Sequence, residues 1–177
     1  RWHTYWRNAG DAGIPTTIEW ELPTGVKAGS IQWPVPHKLS LLSLAAYAYE
    51  GTEYLLIPLT IGLDAKTGAV QLKAKVDWLE CEKTCIPQNA NVVATLTIGE
   101  QSKPSEHAPM IEKAREQLPK GPAPIPVAAK WDKSEKEDAR TLVIEWTSGE
   151  AANQPDFFPF ESEKYLVEAE TKAQTDG

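Results

Sequence analysis

Cys81 and Cys85 are the only thiols in a chain of 177 residues, and they lie within VDWLECEKTCIP at residues 76–87. A pair at this spacing admits three chemistries. As a staple it closes a five-residue loop, which the chain-entropy model values at about 2 kcal/mol, against roughly 4–5 kcal/mol for a long loop. As a metal site it is short of ligands. Zinc needs three or four, and the chain adds only the scattered His3, His37 and His107. Cu(I) would suit two thiolates with Met110 or a histidine, yet no spacing beyond the cysteines supports that set. The third chemistry is a dithiol that cycles with its disulfide. Asp77, Glu80 and Glu82 crowd the loop, opposed only by Lys83. Nearby negative charge disfavours a thiolate, so this reading predicts a slow, discriminating thiol that reacts inside a docked complex.

The elements that must position the loop read as β. Arg1 to Trp6 is aromatic and β-prone, and Asn8 to Pro15 is a turn-rich loop. In Thr17 to Leu22, Ile18, Trp20 and Leu22 share one face and Glu19 and Glu21 the other, the pattern of a half-buried strand. Ile31 to Trp33 and Tyr54 to Ile61 read as strands with prolines at or beside them. Leu39 to Tyr49 fits either a helical turn or a loop laid over the sandwich. Ala69 to Trp78 alternates, placing Val70, Leu72, Ala74, Val76 and Trp78 on one face. Asn91 to Ile98 is another strand, so the cysteine loop joins two arms of a hairpin-like unit. Ser105 to Leu118 reads as a helix, with Ser105 as N-cap and Met110, Ile111, Ala114 and Leu118 as its apolar stripe.

Four prolines in PKGPAPIP make a stiff linker over residues 119–126. Beyond it, Val127 to Trp131, Thr141 to Trp146 and Tyr165 to Ala169 are strand-like, and three strands in about 50 residues rarely close a sandwich. The charge shifts at the same place. Residues 1–125 carry 13 acids against 12 bases, and residues 126–177 carry 12 against 6. The expected organisation is an immunoglobulin-like redox domain over 1–118, the linker, and a second, truncated β-rich unit over 127–177. The fold class is all-β, an immunoglobulin-like sandwich with one short helix.

Hydrophobic residues make up 41% and charged residues 24%, as in globular chains. A net charge of -7 without a basic stripe argues against a nucleic-acid partner. No apolar run approaches the ~18 residues of a membrane span. The chain opens on Arg1 without a signal peptide, as a mature or excised fragment would.

At the cysteine loop, VDWLECEKTCIP resembles the active-site loop of the amino-terminal periplasmic domain of DsbD-type transmembrane thiol:disulfide interchange proteins. The nearer resemblance is to the ScsB-like branch, which is linked with copper tolerance. RWHTYWRNAGDAGIPTTIEWELP, IQWPVP and YEGTEYLLIPLTI resemble the same branch. The likeness covers about residues 1–100 and runs on more weakly to FFPFESEKYLVEAET. It implies an immunoglobulin-like periplasmic domain of an inner-membrane protein-disulfide reductase, working without a small-molecule cofactor. Such domains take electrons from a thioredoxin-like domain of the same polypeptide. They pass them to oxidised periplasmic thioredoxin-fold proteins, among them disulfide isomerases and cytochrome c maturation proteins, and to peroxidase-type proteins. The family cysteines fall on Cys81 and Cys85. By analogy Cys85 attacks the partner's disulfide and Cys81 resolves the mixed disulfide.

The loop departs from the better-known DsbD pattern in having three intervening residues where that pattern has more. In that pattern an acidic-aromatic cap covers the disulfide. The corresponding stretch here, roughly Leu41 to Tyr49, lacks an acidic-Phe-Tyr core and leaves Leu42, Tyr47 and Tyr49 as candidate shields, with ordinary packing as the alternative. His3 and Tyr5 match aromatic positions that lie near the disulfide in the family and could tune it by hydrogen bonding, or serve only as strand residues. Trp78 could wall the site or pack in the core, and Glu80 and Glu82 could tune it by charge. The rival readings are a copper-binding module and a purely structural β-sandwich with a loop disulfide.

Overall fold

The structure is a computed structural model and describes residues 1–41, 44–121, 125–133, 139–147, 155–164, 167–168 and 171–174. In chain order the strands are β1 (His3–Gly10), β2 (Thr17–Glu21), β3 (Val26–Ala28), β4 (His37–Leu41), β5 (Leu44–Glu50), β6 (Leu59–Ile61), β7 (Gly68–Cys81) and β8 (Cys85–Ile98). One helix, α1 (Ala108–Glu116), follows, and then β9 (Val127–Trp131) and β10 (Leu142–Trp146). The described residues are thus mostly β with one short helix, the class expected from the strand and turn pattern.

The chain divides into two compact units. One comprises residues 1–119 and 158–170, the other 120–157 and 171–177. In the first, a six-stranded antiparallel sheet runs β2-β7-β1-β5-β4, with β8 paired to β7, and β3 pairs with β6 in a small second sheet. In the other unit β9 and β10 form a hairpin, tied by Lys130 to Glu145 at 2.6 Å. The third run expected as a strand, at 165–169, lies for the most part outside the described residues.

Cross-strand partners project to the same face of a sheet. His3 faces Cys81, and Tyr5 faces Ala48. One face therefore carries the cluster Tyr5, Ala9, Ala46, Ala48, Leu79 and Cys81, with Leu39 packed on it. The other carries Trp6, Tyr47 and Tyr49, with Trp33 and Phe158 packed against them. The returning segment supplies more than one ring. Phe158 and Phe160 stand 6.2 and 6.1 Å from Trp6, and the Asn8 side-chain amide donates to the Pro159 carbonyl at 2.9 Å.

Five expectations are corrected. The described part of 39–49 is neither helical turn nor loop. Leu39 to Leu41 lie in β4 and Leu44 to Tyr49 in β5, and in this pair His37 faces Ala48 and Leu41 faces Leu44. Because β5 lies between β1 and β4 with both faces covered, its apolar residues follow no two-residue alternation. Ile31 to Trp33 makes only a single bridge, Gln32 to Leu56, and Tyr54 to Ile61 shortens to β6, with Tyr54 and Ile61 both exposed. Pro58, which has no N–H to donate, precedes the paired residues. The helix starts at Ala108 instead of beyond a Ser105 cap, so that Pro109 falls in its first turn, and Met110 is exposed while Ala114 is buried. Finally, β7 does not bury one face throughout. Leu72 and Ala74 are buried in its first part, Leu79 and Cys81 in its last. Its ladder to β8 keeps one register from Gly68↔Ile98 to Cys81↔Cys85, so no bulge causes the change. It coincides with the place where the other edge of β7 passes from β2, paired through Asp77, to β1, paired at Cys81.

Two tyrosines couple this packing to pH. Burial holds the Tyr5 phenol above its ordinary value of 10.0, and Tyr49 is pushed up by burial first and the Glu53 carboxylate second. The Tyr49 hydroxyl also donates to the Pro34 carbonyl at 2.8 Å. In the unfolded chain both phenols ionise near 10, releasing protons that the folded protein keeps. Their contribution is therefore complete below pH ~10 and is lost as pH rises through the folded values. The melting temperature is expected to fall as the pH rises above about 10, and Tyr49→Phe to make that fall shallower. Melting curves that decline in parallel for parent and variant would remove Tyr49 as a cause.

Candidate functional site

Fourteen consecutive pairs join β7 to β8, and the last of them is Cys81 with Cys85. Only Glu82, Lys83 and Thr84 form the turn, closed by a bond from the Glu82 N–H to the Thr84 carbonyl at 3.4 Å. The cysteines are thus directly opposed at the tip of a long hairpin. Their Cα atoms are 4.1 Å apart and their sulfurs are bonded as a disulfide of 2.02 Å. The two residues are unequal. Cys81 is 3% exposed, packed on the face of Tyr5, Ala48 and Leu79, whereas Cys85 is exposed.

Two residues of β1 reach this tip. His3 faces Cys81, and its Nδ1 lies 3.1 Å from the Arg1 carbonyl. A carbonyl only accepts, so Nδ1 carries a proton, and in the uncharged imidazole Nε2 is then the acceptor. The Tyr5 hydroxyl lies 3.3 Å from that Nε2 and 3.9 Å from the Cys85 sulfur. It has one proton and two acceptors. A disulfide sulfur is a weak acceptor, so while the disulfide is intact the proton belongs to His3. Once Cys85 is reduced and ionised, the thiolate becomes the stronger acceptor.

The remaining residues singled out in the sequence are placed elsewhere. Tyr47 and Tyr49 lie on the opposite face from Tyr5 and Cys81, 2% and 4% exposed, so they are packing residues and not covers of the disulfide. Leu42 lies outside the described residues. Trp78 and Glu80 alternate with Leu79 and Cys81 and project to the other face of β7, so Trp78 does not wall the sulfurs. The Trp78 indole donates to Glu80 at 3.4 Å, and Gln88 donates to the same carboxylate at 3.2 Å. Asp77 pairs with Lys75 at 3.0 Å. Of the three acids expected to crowd the thiols, two are therefore engaged by other side chains, and Glu82, in the turn next to Cys81, lies 3.7 Å from the Arg1 amino group. Among the described residues no group of three or more His, Cys, Asp and Glu side chains is arranged to hold a metal ion.

One contributor escaped the sequence reading. The loop between β1 and β2 crosses the Tyr5 ring at Gly13, where a built Cβ would overlap Tyr5 Cδ1 and Cε1. Two glycines in NAGDAGIP, directly after an aromatic strand, were the only signal.

Comparison with known proteins adds three findings. The family described as "Thiol:disulfide interchange protein DsbD, N-terminal" matches residues 1–97. No curated protein matches the chain. Among solved structures the chain is similar to the N-terminal periplasmic domain of ScsB from Proteus mirabilis, with a TM-score of 0.53 and 16% identity. The match covers 86% of this chain and 73% of that one, a likeness of fold.

Proposed function

The chain belongs to the family of the DsbD N-terminal domain, and from that premise we propose that it is a periplasmic thiol–disulfide exchange domain in which Cys85 meets the partner and Cys81 resolves. The observation that carries this reading is the inequality of the pair, an exposed Cys85 bonded to a Cys81 that is 3% exposed. Exchange needs a thiolate in line with the sulfur it attacks, so access selects the sulfur. In the accepting half-reaction, a thiolate of a thioredoxin-fold donor attacks Cys85, forms a mixed disulfide and expels Cys81 as thiolate. A second donor thiol releases Cys85. In the delivering half-reaction, the Cys85 thiolate attacks an oxidised periplasmic protein and releases one of its sulfurs. Cys81 then attacks Cys85, re-forming the Cys81–Cys85 bond. Two electrons and two protons pass in each cycle.

His3 and Tyr5 handle the proton. A Cys85 thiol donates toward the Tyr5 oxygen while Tyr5 donates to His3 Nε2, which gives the proton a route off the nucleophile. Cys81, 3% exposed, is reached by the partner only through Cys85. The donor is the thioredoxin-like domain of a longer, membrane-embedded polypeptide. The functional unit is the one formed by residues 1–119 with 158–170. No helix among the described residues is long and apolar enough to cross a membrane.

A staple role is poorly supported by the site. The bridge joins residues already opposed at the end of an unbroken ladder, and a loop of this size contributes only about 2 kcal/mol. The deciding experiment is capture. Cys81→Ser leaves a mixed disulfide on Cys85 that cannot be resolved, and mass spectrometry of periplasmic extract is expected to identify thioredoxin-fold proteins bound there. Recovery of Cys81→Ser with no protein attached would sink the exchange reading.

A further inference from the structure

We infer that Gly13 is a positioning residue of the site: the loop between β1 and β2 is a strap whose glycine seats it on the Tyr5 ring and so holds the hydroxyl at Cys85. This deepens the exchange reading and takes its functional meaning from it.

Three observations converge. Gly13 has φ +119°, where a side chain is strained, and a Cβ there would overlap two ring carbons of Tyr5 and lie 2.6 Å from a third, Cγ. Tyr5 is 1% exposed although its hydroxyl serves a hairpin tip, so the strap is part of what encloses it. The strap is also fastened. At Gly10, φ +81°, a Cβ would overlap the Ala45 carbonyl. Directly after it the Asp11 N–H donates to the Ala45 carbonyl at 2.8 Å, and the Ala45 N–H donates back to Asp11 Oδ2 at 2.7 Å. Hydrophobic burial does not hold the far side, since Ile14 is 59% exposed. The contact therefore depends on a backbone anchor at Asp11 and on clearance at Gly13. Lifting the strap or adding a methyl moves the ring, and the Cys85 thiolate loses the phenol as donor. Of the other ionisable groups of the tip, His3 on β1 loses the Tyr5 hydroxyl in the same movement, whereas Lys83 and Glu82 in the turn, the latter 3.7 Å from the Arg1 amino group, are untouched by either change.

The test uses the full chain with Cys81→Ser, so that only Cys85 titrates, and follows its alkylation by iodoacetamide against pH. Gly13→Ala is expected to move the midpoint upward by about one unit. Tyr5→Phe is expected to do the same, and the two together no more than either alone. A Gly13→Ala profile matching the parent, or shifts that add, would overturn the assignment. If Gly13→Ala does not fold, Asp11→Ala decides. It removes the bond from the Ala45 N–H to Asp11 Oδ2 and so loosens the strap without adding atoms, and an upward shift supports the assignment while an unchanged midpoint overturns it. Iodoacetamide requires no protein partner, so an empty capture experiment would defeat the exchange reading and leave this one standing.

Discussion

Serine at position 85 is expected to silence exchange completely, whereas serine at position 81 leaves the first chemical step intact. In the reduced protein the same asymmetry appears as alkylation of Cys85 at least about tenfold faster than Cys81. The reason is access combined with direction of attack. Cys85 opens β8 and is exposed, while Cys81 ends β7 beneath Tyr5, Ala48 and Leu79. A partner sulfur approaching the tip meets Cys85 first, and the departing sulfur is the buried one. Removing a nucleophile removes the route that depends on it, so partner-disulfide reduction by Cys85→Ser should fall by about three orders of magnitude or more. Cys81→Ser should still show one burst of partner thiol, equal to the protein present, and then stop. The measurement is thiol release from an oxidised thioredoxin-fold protein, with peptide mapping of the alkylated cysteines. A burst from Cys85→Ser and none from Cys81→Ser would reverse the roles.

The cysteine pair and the hairpin that carries it were legible from residue type and alternation, because a strand with one covered face writes its period into the sequence. What alternation could not show was a face that changes along one strand. The run from Val70 to Trp78 looks like a single apolar stripe, yet the buried positions near the site are Leu79 and Cys81. Burial there is decided by β1 and the strap, both distant in the chain. The acids misled for a related reason. Asp77, Glu80 and Glu82 are close in sequence, but alternation sends Glu80 to Trp78 and Gln88, and Asp77 finds Lys75. Charge counted along a strand overstates charge felt at one sulfur. The strand pair within 39–49 was illegible because β5 is covered on both faces, so Ala46 and Ala48 serve one cluster while Tyr47 and Tyr49 serve the other.

That division makes Tyr47→Ala a sharp discriminator between packing and shielding. Tyr47 is 2% exposed, with its ring 6.1 Å from Trp6 and 5.8 Å from Phe158, both edge-on. Truncation removes the ring from the centre of three aromatics and leaves a cavity that two bulky neighbours fill poorly. The expected cost is about 3–5 kcal/mol. Against a typical total of about 5–15 kcal/mol this is a large fraction, and for a chain of this size it lowers the melting temperature by roughly 10 °C. Tyr47→Phe, which keeps the ring, should lose far less. Below the melting transition, the rate at which dithiothreitol reduces the disulfide should stay that of the parent, because Tyr47 faces away from both sulfurs. A shield would behave in the opposite way, with Tyr47→Ala melting like the parent and its disulfide reduced several-fold faster. That result would mean the sheet presents Tyr47 on the same side as Tyr5, which the pairing of Tyr5 with Ala48 and of Thr4 with Tyr49 forbids.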